Sequence, residues 1–207
     1  MQIGGKMIIV LTGGIGSGKS TAAGILSDTY GFPVYEADAA VKRLYRSDEC
    51  LLSDIETDAG RIFRNEDGDF SASLMAEYVF SVPGAVEKVE RRAFPVLVRD
   101  FMEWKSATGA DIVVFESATV LEKPYFKGFG DAVIIVDAAL DMRIDRAVAR
   151  DGVTREQVLA RVGRQKLMND ISDGRNIPED AYICRNDGSL AHLSDRLNEI
   201  IEIIINK

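Results

Sequence analysis

The chain is poor in the side chains that carry thiol, metal and imidazole chemistry. Its 207 residues include two cysteines and a single histidine. Cys50 and Cys184 form no CxxC and have no histidine at metal-ligand spacing, so they read as ordinary buried or half-buried thiols of a reducing compartment. His192 lies in the closing helical segment and is expected to be structural. It is far in sequence from the other candidate residues, and no Ser/His/Asp or Cys/His constellation is available. Long apolar runs are also missing. None approaches the ~20 residues that a membrane-spanning helix requires, and Met7–Leu11 is too short, and too soon followed by glycines, for a secretory signal. Residues 1–6 read as a frayed leader before the first strand. Positive charge is in deficit: 25 Lys and Arg against 33 Asp and Glu give a net charge of -8. Such a surface repels nucleic acid and anionic membranes, so neither is expected as a partner, and the chain is expected in the cytoplasm. A guanine-reading NKxD or TKxD box is absent, and the one obvious DxxG, Asp28–Gly31, ends the first helix. Both facts argue against a GTPase. Oligomeric state leaves no trace in the sequence.

What is present is a complete phosphate-binding loop. Gly13-Gly14-Ile15-Gly16-Ser17-Gly18-Lys19-Ser20 matches GxxxxGK[ST] in full, after a buried apolar run and at the opening of a helix. Glycines let the backbone approach phosphates closely, and successive N–H groups then form an anion nest. The helix N-terminus adds partial positive charge. Lys19 is expected to reach the terminal phosphates, and Ser20 to ligate Mg²⁺. The loop does not by itself decide between kinase, GTPase and ATPase; the expected reading is a small P-loop kinase with ATP as donor and Mg²⁺ as cofactor, acting on a small-molecule hydroxyl.

The remaining pattern is that of one α/β domain over residues 1–207. Strands are expected at 7–12, 33–35, 111–115, 132–136 and 182–184. Helices are expected at 19–30, 38–46, 141–150, 154–166 and 190–205. Between 50 and 109 helical patterns dominate, broken at Asn65–Gly68 and Pro83–Gly84, and read as a helical insert. Alternation of strands and helices predicts a doubly wound parallel sheet with helices on both faces.

Two acids follow strands. Asp38 comes after the second strand, where it can accept a substrate hydroxyl's proton, or simply cap a helix. Glu116 ends the 111–115 run and resembles the acid that holds Mg²⁺ through water, with Glu122 as a weaker candidate or a plain loop acid. Arg143, Arg146 and Arg150 share one helix face. Together with Arg155, Arg161, Arg164 and Lys166 they suggest a cationic lid over 141–170, in which Arg146 and Arg150 are singled out. The bland alternative is a solvated basic face.

At this point the chain resembles the dephospho-CoA kinase family. The likeness rests on Leu11–Thr21 as its P-loop and on Glu36-Ala37-Asp38 as its DAD motif. It extends to Arg143–Arg146, Arg150-Asp151 and Arg161–Gln165 in its lid, and to Asn186-Asp187-Gly188-Ser189 as its turn near the adenine. The resemblance implies a P-loop core, a helical acceptor-binding insert at 50–109, a lid, ATP–Mg²⁺, and transfer to the ribose 3′-hydroxyl of dephospho-CoA. It makes Asp38 the base and Lys19 the phosphate cation. It places Gly14, Ile15, Gly16, Ser17, Gly18, Lys19, Ser20, Thr21, Arg150, Asn186 and Gly188 around the nucleotide. The acceptor half departs from the pattern: Glu36 stands for the first Asp, Phe94-Pro95 for an HP pair, and the stretch Phe70-Ser71-Ala72 lacks an arginine. The stretch Glu116–Glu122 also lacks the family's proline. Another small-molecule P-loop kinase and a non-catalytic nucleotide-binding regulator remain the alternatives.

Overall fold

A computed structural model describes residues 7–207; the expected leader lies outside the described residues. Five strands form one sheet: β1 (Met7–Gly13), β2 (Val34–Glu36), β3 (Ile112–Glu116), β4 (Ala132–Asp137) and β5 (Ala181–Arg185). All neighbours are parallel, in the order β2-β3-β1-β4-β5. The β-branched runs IIV and VIIV are buried on both faces, as a covered parallel sheet requires. Because β1 lies between β3 and β4, chain connections depart to either side at its carboxyl end. Parallel sheets of this kind open a crevice for ligands at such a point.

The chain divides into two units, 1–36 with 110–207, and 37–109. In the first, α1 (Lys19–Tyr30) and α9 (Leu190–Ile205) occupy the positions expected of them. Ser189 caps α9 by accepting the His192 amide. The spacing of Leu193, Leu197, Ile200, Ile201 and Ile204 makes one apolar stripe. That stripe packs with Ala22, Ala23 and Leu26 of α1 against Ile9, Leu11, Val114, Ile134 and Val136 of the sheet. Each fully buried leucine or isoleucine there contributes about 1.5–3 kcal/mol. Alternate strand residues face the other way, where Phe115 stacks with Tyr35 at 5.8 Å and meets Phe129 edge-on at 4.8 Å.

After β4 come α6 (Leu140–Asp151), α7 (Arg155–Val162) and α8 (Lys166–Ser172). The single helix expected over 154–166 is therefore two, parted at Gly163-Arg164-Gln165. The break has a tertiary cause. The Val162 carbonyl accepts the Gln165 backbone N–H and the Asn169 side-chain amide, and the Gln165 side chain accepts the backbone N–H of Ile15.

The second unit is helical: α2 (Ala37–Ser47), α3 (Glu49–Ala59), α4 (Ala72–Ser81) and α5 (Ala85–Thr108). It begins at Ala37, earlier than the insert expected from residue 50, because α2 packs with α3 and α5. α5 buries every fourth residue from Ala85 through Val89, Ala93 and Leu97 to Phe101, and carries Pro95 on its exposed side. Asp48 caps α3 at Leu51. The expected breaks at Asn65–Gly68 and Pro83–Gly84 fall in the two loops of this unit. Asp38 is the second residue of α2 rather than its cap. Both cysteines are free thiols. Cys184 is buried, whereas Cys50 is exposed, contrary to the expectation that both are covered. Burial pushes the Cys184 thiol up to about 11, against a weaker pull from Arg196, so it is chemically quiet. Among the described residues no helix is long and apolar enough to cross a membrane.

Candidate active site

The phosphate loop joins the carboxyl end of β1 to α1. Gly18 occupies the N-cap position of α1 with φ 96°, and no side chain caps the first turn. No acidic residue lies in that turn. The helix therefore presents uncapped amides and its positive dipole end, the physical requirement for holding phosphate. Gly16 also takes a left-handed backbone, φ 72°. A Cβ there would lie 1.9 Å from the Arg143 carbonyl oxygen, and one on Gly18 would lie 2.1 Å from Asn186 Nδ2. The glycines are thus demanded as much by the protein packed behind the loop as by phosphate in front of it. The Thr12 and Ser17 hydroxyls are buried beside the loop with no protein partner. An anion nest ringed by donors fits the phosphates of a nucleotide.

Lys19 opens α1 and forms an ion pair with Glu116. The register places Glu116 beside Leu11 of β1 on one side and Glu36 of β2 on the other. Ser20 is exposed on the first turn of α1, and Thr21 follows it, also exposed. Asp38 lies in the other unit, in the first turn of α2.

The loop is braced from behind by residues to which the sequence pattern gave other roles or none. Arg143 of α6 is 1% exposed. Its Nε donates to the Ile15 carbonyl at 3.1 Å, and one terminal nitrogen donates to Ser172 Oγ at 3.2 Å. Ser172 in turn donates to the buried Asp137 carboxylate at 2.7 Å, and Arg185 donates to the other oxygen of Asp137 at 2.6 Å. Burial pulls the Arg143 guanidinium down from its ordinary range, and the Asp137 carboxylate works against that. Asn186 donates its side-chain amide to the Ser17 carbonyl at 2.8 Å, and its backbone N–H to Asp137 at 2.7 Å. Gly188 packs on the His192 ring, within 3.3 Å of it for a notional Cβ.

The arginines of α6 therefore have different environments. Arg146 is half-buried, donates to the Asn186 carbonyl at 3.0 Å, and keeps a second nitrogen buried without a partner. Arg150 is exposed and paired with Asp151 at 2.7 Å. Glu122 has a buried oxygen without a hydrogen bond. Burial pushes its carboxyl up, opposed by Lys123 and the Leu167 amide. The sequence placed Arg143 in the arginine face but gave it no role behind the loop, and no sequence signal marked Asp137 or Ser172, since depth of burial is invisible to spacing.

A parallel sheet in this strand order, with a glycine-rich loop feeding an uncapped helix that begins with lysine and with an acid beside it on the neighbouring strand, defines a P-loop kinase. Comparison with known proteins narrows the class. The profile of the family described as dephospho-CoA kinase matches residues 7–192. A dephospho-CoA kinase of Bacteroides fragilis is 30% identical over 201 residues, which is 96% of this chain and 93% of the relative. One from Thermus thermophilus is 32% identical over 198 residues, 94% of this chain and 90% of that protein. A crystal structure from Thermus thermophilus superposes with a TM-score of 0.78 at 30% identity, covering 95% of this chain and 97% of the other. The chain belongs to the dephospho-CoA kinase family. Membership makes it an ATP-dependent phosphotransferase by class.

Proposed function

We propose that this chain transfers the terminal phosphoryl group of ATP to the ribose 3′-hydroxyl of dephospho-CoA, releasing ADP and coenzyme A. The observation that carries the reading is the phosphate loop at the β1–α1 junction, with its uncapped helix end and Lys19. In this reading the backbone and side chains of Gly14, Gly16, Ser17, Gly18, Lys19, Ser20 and Thr21 hold the phosphates, and Ile15, whose amide is taken by Gln165, shapes the loop between them. Asn186, Gly188 and Arg150 serve the rest of the nucleotide. Asp38 accepts the proton of the acceptor hydroxyl as the new O–P bond forms and the bond to the ADP oxygen breaks. Lys19 and Arg146 neutralise charge spreading over the transferred group.

Ser20 and Glu116 form the proposed Mg²⁺ pair; their hard oxygen donors suit that ion. Held by these two residues, Mg²⁺ would supply positive charge that lowers the repulsion between the phosphates and the acceptor. Residues 50–109 are the proposed acceptor-binding insert and 141–170 the proposed lid, with reaction in the cytoplasm and no part for nucleic acid or membrane.

A coupled assay for ADP release with ATP, Mg²⁺ and dephospho-CoA, against a panel of nucleosides, tests the reading. Turnover on the order of 1–100 s⁻¹ with dephospho-CoA alone is expected. ATP binding without dephospho-CoA-dependent ADP release would overturn the acceptor, and turnover with a nucleoside would name another.

A further inference from the structure

Ile15 is held more firmly than a phosphate-loop residue needs to be for phosphate contact alone. Its N–H donates to Gln165 Oε1 at 2.8 Å, and its carbonyl accepts from Arg143 Nε at 3.1 Å. Its side chain packs against the cluster of Ile144, Ala147, Val158 and Val162, contributed by α6 and α7. Both polar groups of one residue are thus consumed by one continuous segment, residues 140–172. The Ile15 amide is spent on Gln165 and is not a phosphate donor, which leaves the nest to its neighbours.

The arm behind Arg143 is rigid. The guanidinium is anchored at its far end to Ser172, and through that hydroxyl to Asp137, the last residue of β4, whose second oxygen takes Arg185. The remaining Arg143 nitrogen is buried without a hydrogen bond and lies 2.0 Å from where a Cβ on Gly14 would stand. A buried arginine whose charge is answered by a carboxylate and whose fork bridges two oxygens has one conformation open to it. Such a side chain transmits position.

We propose that Arg143, with Gln165 as its second arm, is a positioning residue: it sets the conformation of the phosphate loop through the Ile15 peptide and so determines ATP affinity. In this proposal it acts on the loop backbone and not on the reacting atoms. The inference rests on the reading that this loop holds ATP, and is independent of which acceptor is used.

The test measures ATP dissociation constants by calorimetry without acceptor, alongside KM and kcat, for Arg143→Gln, Arg143→Lys, Gln165→Leu and the double variant. Arg143→Gln is expected to weaken ATP binding and raise KM for ATP on the order of 10-fold, as for loss of a hydrogen bond from a charged donor. The kcat at saturating ATP is expected to change much less, and KM for the acceptor not at all. Arg143→Lys keeps the charge but can serve only one of the two oxygens, so it recovers part of the affinity. The double variant is expected to lose less than the product of the single losses, because both arms hold one peptide. A purely structural role would lower the melting temperature and leave ATP affinity of the folded protein unchanged. Folded Arg143→Gln binding ATP within 2-fold of the parent overturns the proposal. Should that variant fail to fold, unchanged ATP affinity in Gln165→Leu overturns it equally. A parent that binds ATP but phosphorylates no dephospho-CoA bears on the acceptor alone, because the affinity is read without it.

Discussion

The two units differ in how much charge they bury. In the sheet unit Glu116, Asp137 and Arg143 are buried, together with Thr12, Ser17, Ser117 and Asn186; Glu56 is the buried polar residue of the helical unit among the described residues. Both units also carry surface pairs, such as Arg150 with Asp151 in the sheet unit and Arg43 with Asp100, Arg61 with Glu77, and Arg92 with Asp58 in the helical unit. Burying a charge is costly unless it is paired and hydrogen-bonded, and removing one partner leaves the other stranded. Exposed pairs are worth about 0–1 kcal/mol. A network that costs so much to bury persists where a backbone must be held in one shape, and here it converges on the Gly13–Ser20 loop. The helical unit, with no such loop, is stabilised by its apolar seams.

The comparison breaks most sharply at Asp38. It lies in the helical unit, yet the proposed chemistry assigns it the one proton transfer. Asp38→Asn keeps shape and first-turn placement while removing the base. Turnover is expected to fall on the order of 10²-fold or more, with ATP affinity nearly unchanged. Stopped assays on the purified variant decide it, and turnover equal to the parent's would remove Asp38 from the mechanism.

A pair of glycines sharpens the comparison at a smaller scale. Gly16 and Gly60 have similar left-handed backbones, φ 72° and 63°. Around Gly60 a Cβ would meet nothing, whereas at Gly16 it would strike the Arg143 backbone. Gly60→Ala should cost about 1–2 kcal/mol through left-handed strain alone and leave kinetics untouched. Gly16→Ala adds the collision, so it should lower the melting temperature further and weaken ATP binding. Thermal melts with ATP titrations separate the two, and equal effects would mean that the loop is not braced from behind.

How far the sequence carried depends on whether a feature is local. The bounds of α1 and α9 were legible because a glycine motif, a capping serine and an unbroken 3.6-residue stripe fix them without help from the rest of the chain. The loop itself was legible for the same reason. The split between α7 and α8 was not, because Gln165 leaves the helix to meet Ile15, 150 positions away in sequence. The arginines teach the same lesson. Arg143 and Arg150 fall on nearly one line of α6, but seven residues at about 1.5 Å each set them roughly 10 Å apart along it. Spacing gave the face correctly and could not say which arginine reached the loop. Nor did the change of texture near residue 50 show that α2 packs with the helices that follow it.

The smallest expected effect is in the helical unit, at Asp58. Hydrogen bonds from Arg92, and then Arg91, hold its carboxyl down at about 2, below its ordinary 3.8. A carboxyl depressed in the folded state binds its proton more readily when unfolded. Its stabilising contribution is therefore fully present above about 3.8 and is lost as pH falls toward 2. Asp58→Asn has no such carboxyl to protonate. Its melting temperature should lie slightly below the parent's at neutral pH and converge on it as the pH falls through that window. Melts between pH 6 and the acid limit of folding, at low and high salt, would show the convergence, and salt should shrink the neutral-pH gap because the pair is open to solvent. A constant gap across the window would mean that Asp58 contributes through packing, and that the surface charges of this unit are not what distinguishes it from the buried network of the other.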